Sequence, residues 1–301
     1  IQITNSSPLT VSGNMTSAGN ITLTAANDAG AAGDDLTISN NATVTIDSAV
    51  DGKVLTLNAG DNVIFGDSVT GTTGAARTIN GNHSIVVNAN NDGSGDGVNG
   101  SVIQDFGANQ SMVTDNLTIV AGDGIGGSAG VRLTTNVNRI AMSIDGGAGI
   151  EIENQSGSQL TLDGVTNGGG GADVLILHDA SLLIDDDLNA SGATVRLIGN
   201  GNISQNAGDL ITASNLGVRQ ENAAGGDVTL NESNVVSVFA ASNAFNTGVV
   251  SFTSGSNLTI GTVGADGSGI FAPTSGVATS SGDVLLESGG SLTIDDDLNA
   301  S

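Results

Sequence analysis

Two stretches of this chain lying 110 residues apart are near copies. Residues 173–191 read DVLILHDASLLIDDDLNAS and residues 283–301 read DVLLESGGSLTIDDDLNAS, identical at 13 of 19 positions. Self-similarity at a fixed distance marks architectures that bury their core by stacking one unit on the next. Weaker echoes link 42–65 with 181–203, and 101–124 with 202–223. Both ends of the sequence fall inside repeat units. The expectation is therefore one continuous β-solenoid over 1–301, part of a longer repetitive chain.

A shorter rhythm runs beneath the long one. Apolar residues recur at i and i+2, as in Leu36/Ile38, Val44/Ile46, Leu55/Leu57, Ile85/Val87, Leu117/Ile119, Val131/Leu133, Val174/Ile176, Leu258/Ile260 and Leu292/Ile294. Alternation with period two predicts strands with one face turned inward. The intervening segments are rich in Asn, Gly, Asp and Ser, which suit tight turns. Successive strands fall about 8 or about 13 residues apart, too close for helical crossovers, and no stretch sustains the spacing of an amphipathic helix. An antiparallel sandwich or a coil of parallel strands remains. Sandwich cores normally carry aromatic residues, but this chain has no Trp, no Tyr and 6 Phe. Stacked aliphatic layers with internal repetition favour the solenoid.

The charge balance narrows the partners. Against 31 Asp+Glu stand 6 Lys+Arg, a formal net charge of −25. Such a surface repels phosphate backbones and anionic lipid, which argues against nucleic acid and membrane surfaces and favours divalent cations or basic partners. No apolar run is long enough to span a bilayer. Ile1 opens inside strand-like sequence, so no signal peptide is expected there. A hydrophobic content of 38% is enough to form a core, which argues against disorder. The absence of cysteine shows only that no disulfide is used.

The run VRLIGNGNISQNAGDLITASNLGVRQENAAGGDVTLNESN (195–234) and the phrase SGSNLTIGTVG (254–264) resemble the repeat regions of filamentous-haemagglutinin-like exoproteins. These are large bacterial adhesins secreted by the two-partner pathway. The resemblance covers most of the chain and is clearest over 101–301. It implies a right-handed parallel β-helix with coils of about 20 residues, export through an outer-membrane pore, and an adhesive or matrix role. The amino-terminal secretion domain of that family, with its NPNG-type motif, is not in this sequence.

Motifs that carry chemistry are few. Gly126-Gly127-Ser128-Ala129-Gly130 spells GxSxG, but that elbow needs a following helix and a nearby histidine and acid. Gly122-x-Gly124-x-x-Gly127 and Gly95-x-Gly97-x-x-Gly100 match the dinucleotide fingerprint without its βαβ frame. Both read as turns. Catalytic β-helices use clustered acids with Arg or Lys, but here Lys53, Arg77, Arg132, Arg139, Arg196 and Arg219 are scattered. The chain is read as a non-enzyme.

Calcium is the one cofactor retained. Asn88, Asn90, Asp92 and Asp96 place oxygen ligands at alternate positions before Gly93 and Gly95, approaching the calcium-loop pattern. Asn99 stands where such loops have a bidentate Glu, and a plain polar loop tip is the competing reading. Asn167–Asp173 faintly resembles a nonapeptide calcium repeat. Asp185–Asp187 and Asp295–Asp297 are expected at solvated turns, able at most to gather a cation loosely. His178, among apolar neighbours, reads as structural. The Asn-x-Ser/Thr sequons at Asn14, Asn20, Asn41, Asn116, Asn202 and Asn257 follow from composition.

These features point to an extracellular structural and adhesive rod on a bacterial surface. Its partners would be glycans or proteins of host or neighbouring cells, or its own copies. A loop-borne binding module and a self-assembling filament or sheath stay open as rivals.

Overall fold

A computed structural model describes residues 1–6, 8–26, 33–40, 42–48, 50–66, 69–70, 82–89, 100–105, 112–126, 131–169, 171–221, 226–243 and 247–300. Among these there is no helix, and strand pairs with strand in parallel apart from one short hairpin. The fold is all-β and solenoid-like. It divides into two compact units, Ile1–Gln155 and Ser156–Ser301.

In the first unit one wall is built from Gln2–Asn5, Ile21–Ala25, Val54–Ala59, Ser84–Ala89, residues 116–121 and residues 139–144, each in register on the one before. Along it Leu23, Leu57, Val87, Ile119 and Met142 form an inward ladder, all at most 3% exposed. Beside them Ala25, Ala59, Ala89 and Ala121 stack at the end of the paired strands. A second wall stacks Leu36, Val63, Val102, Ile125 and Ile150. Each buried Leu or Ile side chain contributes about 1.5–3 kcal/mol, which explains why one stripe of aliphatics per strand suffices without aromatic bulk.

Paired positions on the first wall, from Gln2 through Thr22, Thr56, Val86 and Thr118 to Ala141, are 20, 34, 30, 32 and 23 residues apart. The expected coil length of about 20 thus holds at some steps only. Longer coils pair just as regularly, because lengthening a loop costs little once its ends are held.

The second unit repeats the scheme with steps of 21 residues from Val174 to Val195 and from Val195 to Leu216. Its strand Val228–Asn243 runs for 16 residues and contributes to successive walls. Inside, the rings of Phe239 and Phe252 stack 4.1 Å apart. The two copies of the long repeat fold into the same three strands, Val174–His178, Leu182–Ile184 and 188–190 in one, Val284–Ser288, Leu292–Ile294 and Leu298–Ala300 in the other. They occupy different walls. Val174 pairs with Val195, whereas Val284 stacks on Val250, in the column that contains Leu182. Local sequence sets strand and turn, and the residues accumulated between copies set the wall.

Buried amides occupy several corners. Asn154 accepts from the Thr135 hydroxyl and the Val137 amide, 2.9 Å each, and donates to the Val137 carbonyl at 3.0 Å. Asn234 bonds Gln205, Leu230, Thr253 and the Ile211 amide. Turning the chain at a corner frees backbone groups from the ladder, and these side chains satisfy them.

Candidate functional site

On each wall every second side chain points outward, so a glycine at an outward position leaves a notch as deep as the missing side chain. Two such places stand out among the described residues. In the first unit, Ser101, Gly124 and Gly149 form one outward column, and Ile103, Gly126 and Glu151 the next. Glycine thus occupies both outward positions of the middle coil and the first of the coil that follows, against side chains at Ser101, Ile103 and Glu151. Close stacking enforces this. A Cβ on Gly124 would lie 2.7 Å from the Ala148 Cβ, and one on Gly126, at φ +107, would lie 2.8 Å from the Glu151 carbonyl oxygen. The result is a groove of about 300 Å³ with Ile103 on one side, Glu151 on the other and Asp123 at the turn. Asp123 is fixed there by the Gly147 amide, which donates to its Oδ1 at 3.1 Å.

In the second unit the notch is at Gly217, and it is filled. The chain leaves the wall after Leu258–Ile260 and rejoins it at Val277–Thr279 without breaking register, since Phe239 pairs with Ile260 and Ala241 with Val277. The excursion is closed at its neck by the antiparallel pairs Thr262–Ser275 and Val263–Thr274. It folds back over the outer wall as a flap, burying Phe271 with Leu175, Ile198, Ala240 and Val263 in a small core outside the coils. A Cβ on Gly217 would come within 2.5 Å of the Phe271 ring. Arg196 and Arg219 each lie 5.8 Å from that ring's centre, and Arg196 also donates to the Gly264 and Ala265 carbonyls. Asp266 staples the flap by accepting from the Phe271 amide at 2.5 Å and the Ser268 amide at 2.9 Å. Burial would raise its pKa, but the hydrogen bonds from Ser268, Phe271 and Ile270 outweigh it and hold the carboxyl below its ordinary value.

The acidic turn behaves as its sequence suggests. Asp186 and Asp187 are exposed and Asp185 half-buried, while Asp187 Oδ1 accepts the Leu210 amide at 2.7 Å. Asp186, Asp187 and Asp209 bring carboxylate oxygens within 4.8 Å of one another. Desolvation and then repulsion from Asp186, Asp185, Asp187 and Glu232 raise the pKa of Asp209.

Of the calcium candidates, Asn88 sits on Ser84–Ala89, and its amide donates to Asn58 at 2.8 Å as part of an outer ladder. Asn90, Asp92 and Asp96 lie outside the described residues, as do Ser128 of the GxSxG string, Gly95–Asn99 and Arg77. Gly122 and Gly124, read as turn residues, lie at the strand edge and the notch floor. Asp173 is engaged by Arg196 at 2.6 Å. His178 is fully buried, with Nε2 2.7 Å from the Ser158 carbonyl. Two more of the scattered arginines find acids along the walls. Arg132 meets Glu153 at 2.5 Å and Arg219 meets Glu221 at 3.2 Å. Burial would raise the Glu153 pKa, but hydrogen bonds from Arg132 and Gln155 and the Arg132 charge bring it below the usual range.

Sequence reasoning missed both notches. The available signal was glycine at alternate positions in successive coils, as in AGDGIG (121–126) and DGGAGIE (145–151), and a lone Phe in the Gly-rich stretch 264–273. No known protein family, curated protein or solved structure matches this chain.

Proposed function

We propose that this chain is a right-handed parallel β-helix serving as a structural and adhesive segment of a large, secreted bacterial surface protein of the filamentous-haemagglutinin-like kind. The observation that carries the reading is the in-register stacking of coils of unequal length, Leu23 on Leu57 on Val87 on Ile119. Such stacking can be extended coil by coil without a new core design, which is what a spacer between a cell and its target requires. Loops of different length then project from a constant wall and offer contact surface. The acidic exterior, at −25, keeps such segments apart in solution.

The test joins shape to adhesion. Small-angle scattering of the purified chain is expected to show an elongated particle with constant cross-section. Beads coated with it are expected to be retained on mammalian cell layers above albumin-coated beads. A near-spherical particle would overturn the structural half of the reading, and retention equal to albumin the adhesive half.

A further inference from the structure

We propose that the flap of the second unit is a shield: it covers an apolar stretch of outer wall that, once uncovered, docks against the same stretch of a second copy of this chain. The inference rests on the wall and the flap and is independent of the adhesive reading.

Two outward columns run beneath the flap, Leu175–Arg196–Gly217–Ala240 and Leu177–Ile198–Arg219–Ser242, with Val238 beside them. On the first wall of the other unit the outward columns are mostly polar, Thr22, Thr56, Val86, Thr118 and Thr24, Asn58, Asn88, Val120. Leu175, Ile198 and Ala240 point outward, yet they are at most 2% exposed because Phe271, Val263 and Ile270 lie over them. Without the flap, Leu175, Leu177, Ile198, Val238 and Ala240 would form a contiguous apolar patch, the kind of surface that marks a protein interface. Its rim is self-complementary, with Arg196 beside Asp173 and Arg219 beside Glu221. Two copies related by a twofold axis set arginine against acid on both sides, while their aliphatic faces pack as two sheets do. Two of the chain's 6 basic residues lie here, so the repulsion between acidic copies is weakened at this wall.

The chain also shows that a coil can close without a flap. Ile260 stacks on Ile294 and Val277 on Leu298. Residues 261–276 join the first of each pair, whereas Asp295, Asp296 and Asp297 alone join the second. A cover that the coil does not require, held down by Asp266 and Arg196, is an autoinhibitory contact.

The test replaces residues 261–276 by the Asp-Asp-Asp link used one coil later and follows mass by sedimentation equilibrium, at a salt concentration that screens the net charge. The intact chain is expected to stay monomeric and the flap-less chain to dimerise. In the flap-less chain, Ile198→Glu puts a carboxylate into the patch and is expected to weaken the dimer more than about tenfold. Ile294→Glu, on the exposed end coil, is expected to leave it unchanged. Phe271→Ser in the full chain covers the case in which the deletion fails to fold. It loosens the flap and is expected to bring on dimerisation at higher protein concentration, which Ile198→Glu again suppresses. A folded flap-less chain, or failing that a Phe271→Ser chain, that is monomeric throughout would overturn the proposal. So would equal self-association of the intact chain, or a dimer that Ile294→Glu disrupts and Ile198→Glu does not.

Discussion

Phe271 and Gly217 make a coupled pair whose energy can be worked from the geometry. Phe271 is fully buried, so Phe271→Ala should cost the flap about 3 kcal/mol from lost burial. Its contacts with buried Arg196 and partly exposed Arg219 add about 0.5–1 kcal/mol each. The cost is felt as flap opening, because the ladder beneath is intact on both sides of the excursion. Gly217→Ala acts on the same contact from the wall side. The new methyl would lie 2.5 Å from the Phe271 ring and 2.9 Å from Val263 Cγ1, so the ring must withdraw at about 1–3 kcal/mol. Once Phe271 is already Ala, only the tip of Val263 still crowds the methyl, and Gly217→Ala should change stability by under about 0.5 kcal/mol. The double-mutant cycle therefore predicts a coupling of about 1–2 kcal/mol. Native-state hydrogen exchange at the Phe271 amide, which bonds Asp266, reads flap opening directly. If the two substitutions add to within about 0.5 kcal/mol, the limit for independent sites, the knob-in-notch account fails.

Other consequences follow from single groups. Asn154→Ala leaves the Val137 amide and carbonyl and the Thr135 hydroxyl without their buried partner and should cost about 2–3 kcal/mol. Asn58→Ala, on the half-buried outer ladder, should change urea stability by under about 1 kcal/mol; equal losses would contradict the inward and outward assignment. Because the Asp266 carboxyl is depressed below its ordinary value of 3.8, its stabilisation of the flap is fully present above that pH and is lost as pH falls through the lower folded value. Exchange protection of the flap should accordingly be flat from neutral pH to about pH 4 and drop below it. In Asp266→Asn it should be weaker and insensitive to pH, and an unchanged acid profile in that variant would assign the effect elsewhere.

The inward stripe was legible because period-two alternation states which side chains face the core. Fourteen residues named in sequence-derived pairs, from Leu36 and Ile38 to Val174 and Ile176, include a single half-buried exception, Val131. Leu292 and Ile294 alternate just as well, yet are 42% and 53% exposed because their coil is the outermost of its unit. Alternation cannot tell which coil lies above which. The same limit hid the wall change between the two copies of the long repeat. It also hid the notches, whose depth depends on what neighbouring coils place beside a glycine, and the flap, where Phe271 has no periodic partner. The candidate calcium loop rested on spacing alone, and Asn88 proved to be part of a strand ladder. The acidic turns were readable because three adjacent carboxylates have no stable place in a core.

Coils separated by very different lengths of sequence lie in parallel register. The chain has no cysteine, so engineered pairs report this without background. Thr22 pairs with Thr56, and Thr56 with Val86; adjacent strands put such positions about 4.8 Å apart and alternate coils about 9.6 Å. Disulfides require Cα atoms closer than about 7 Å. On mild oxidation, Thr22→Cys with Thr56→Cys and Thr56→Cys with Val86→Cys are both predicted to close in the folded protein, whereas Thr22→Cys with Val86→Cys stays reduced. Closure of the third pair with failure of the first two would contradict parallel coil stacking.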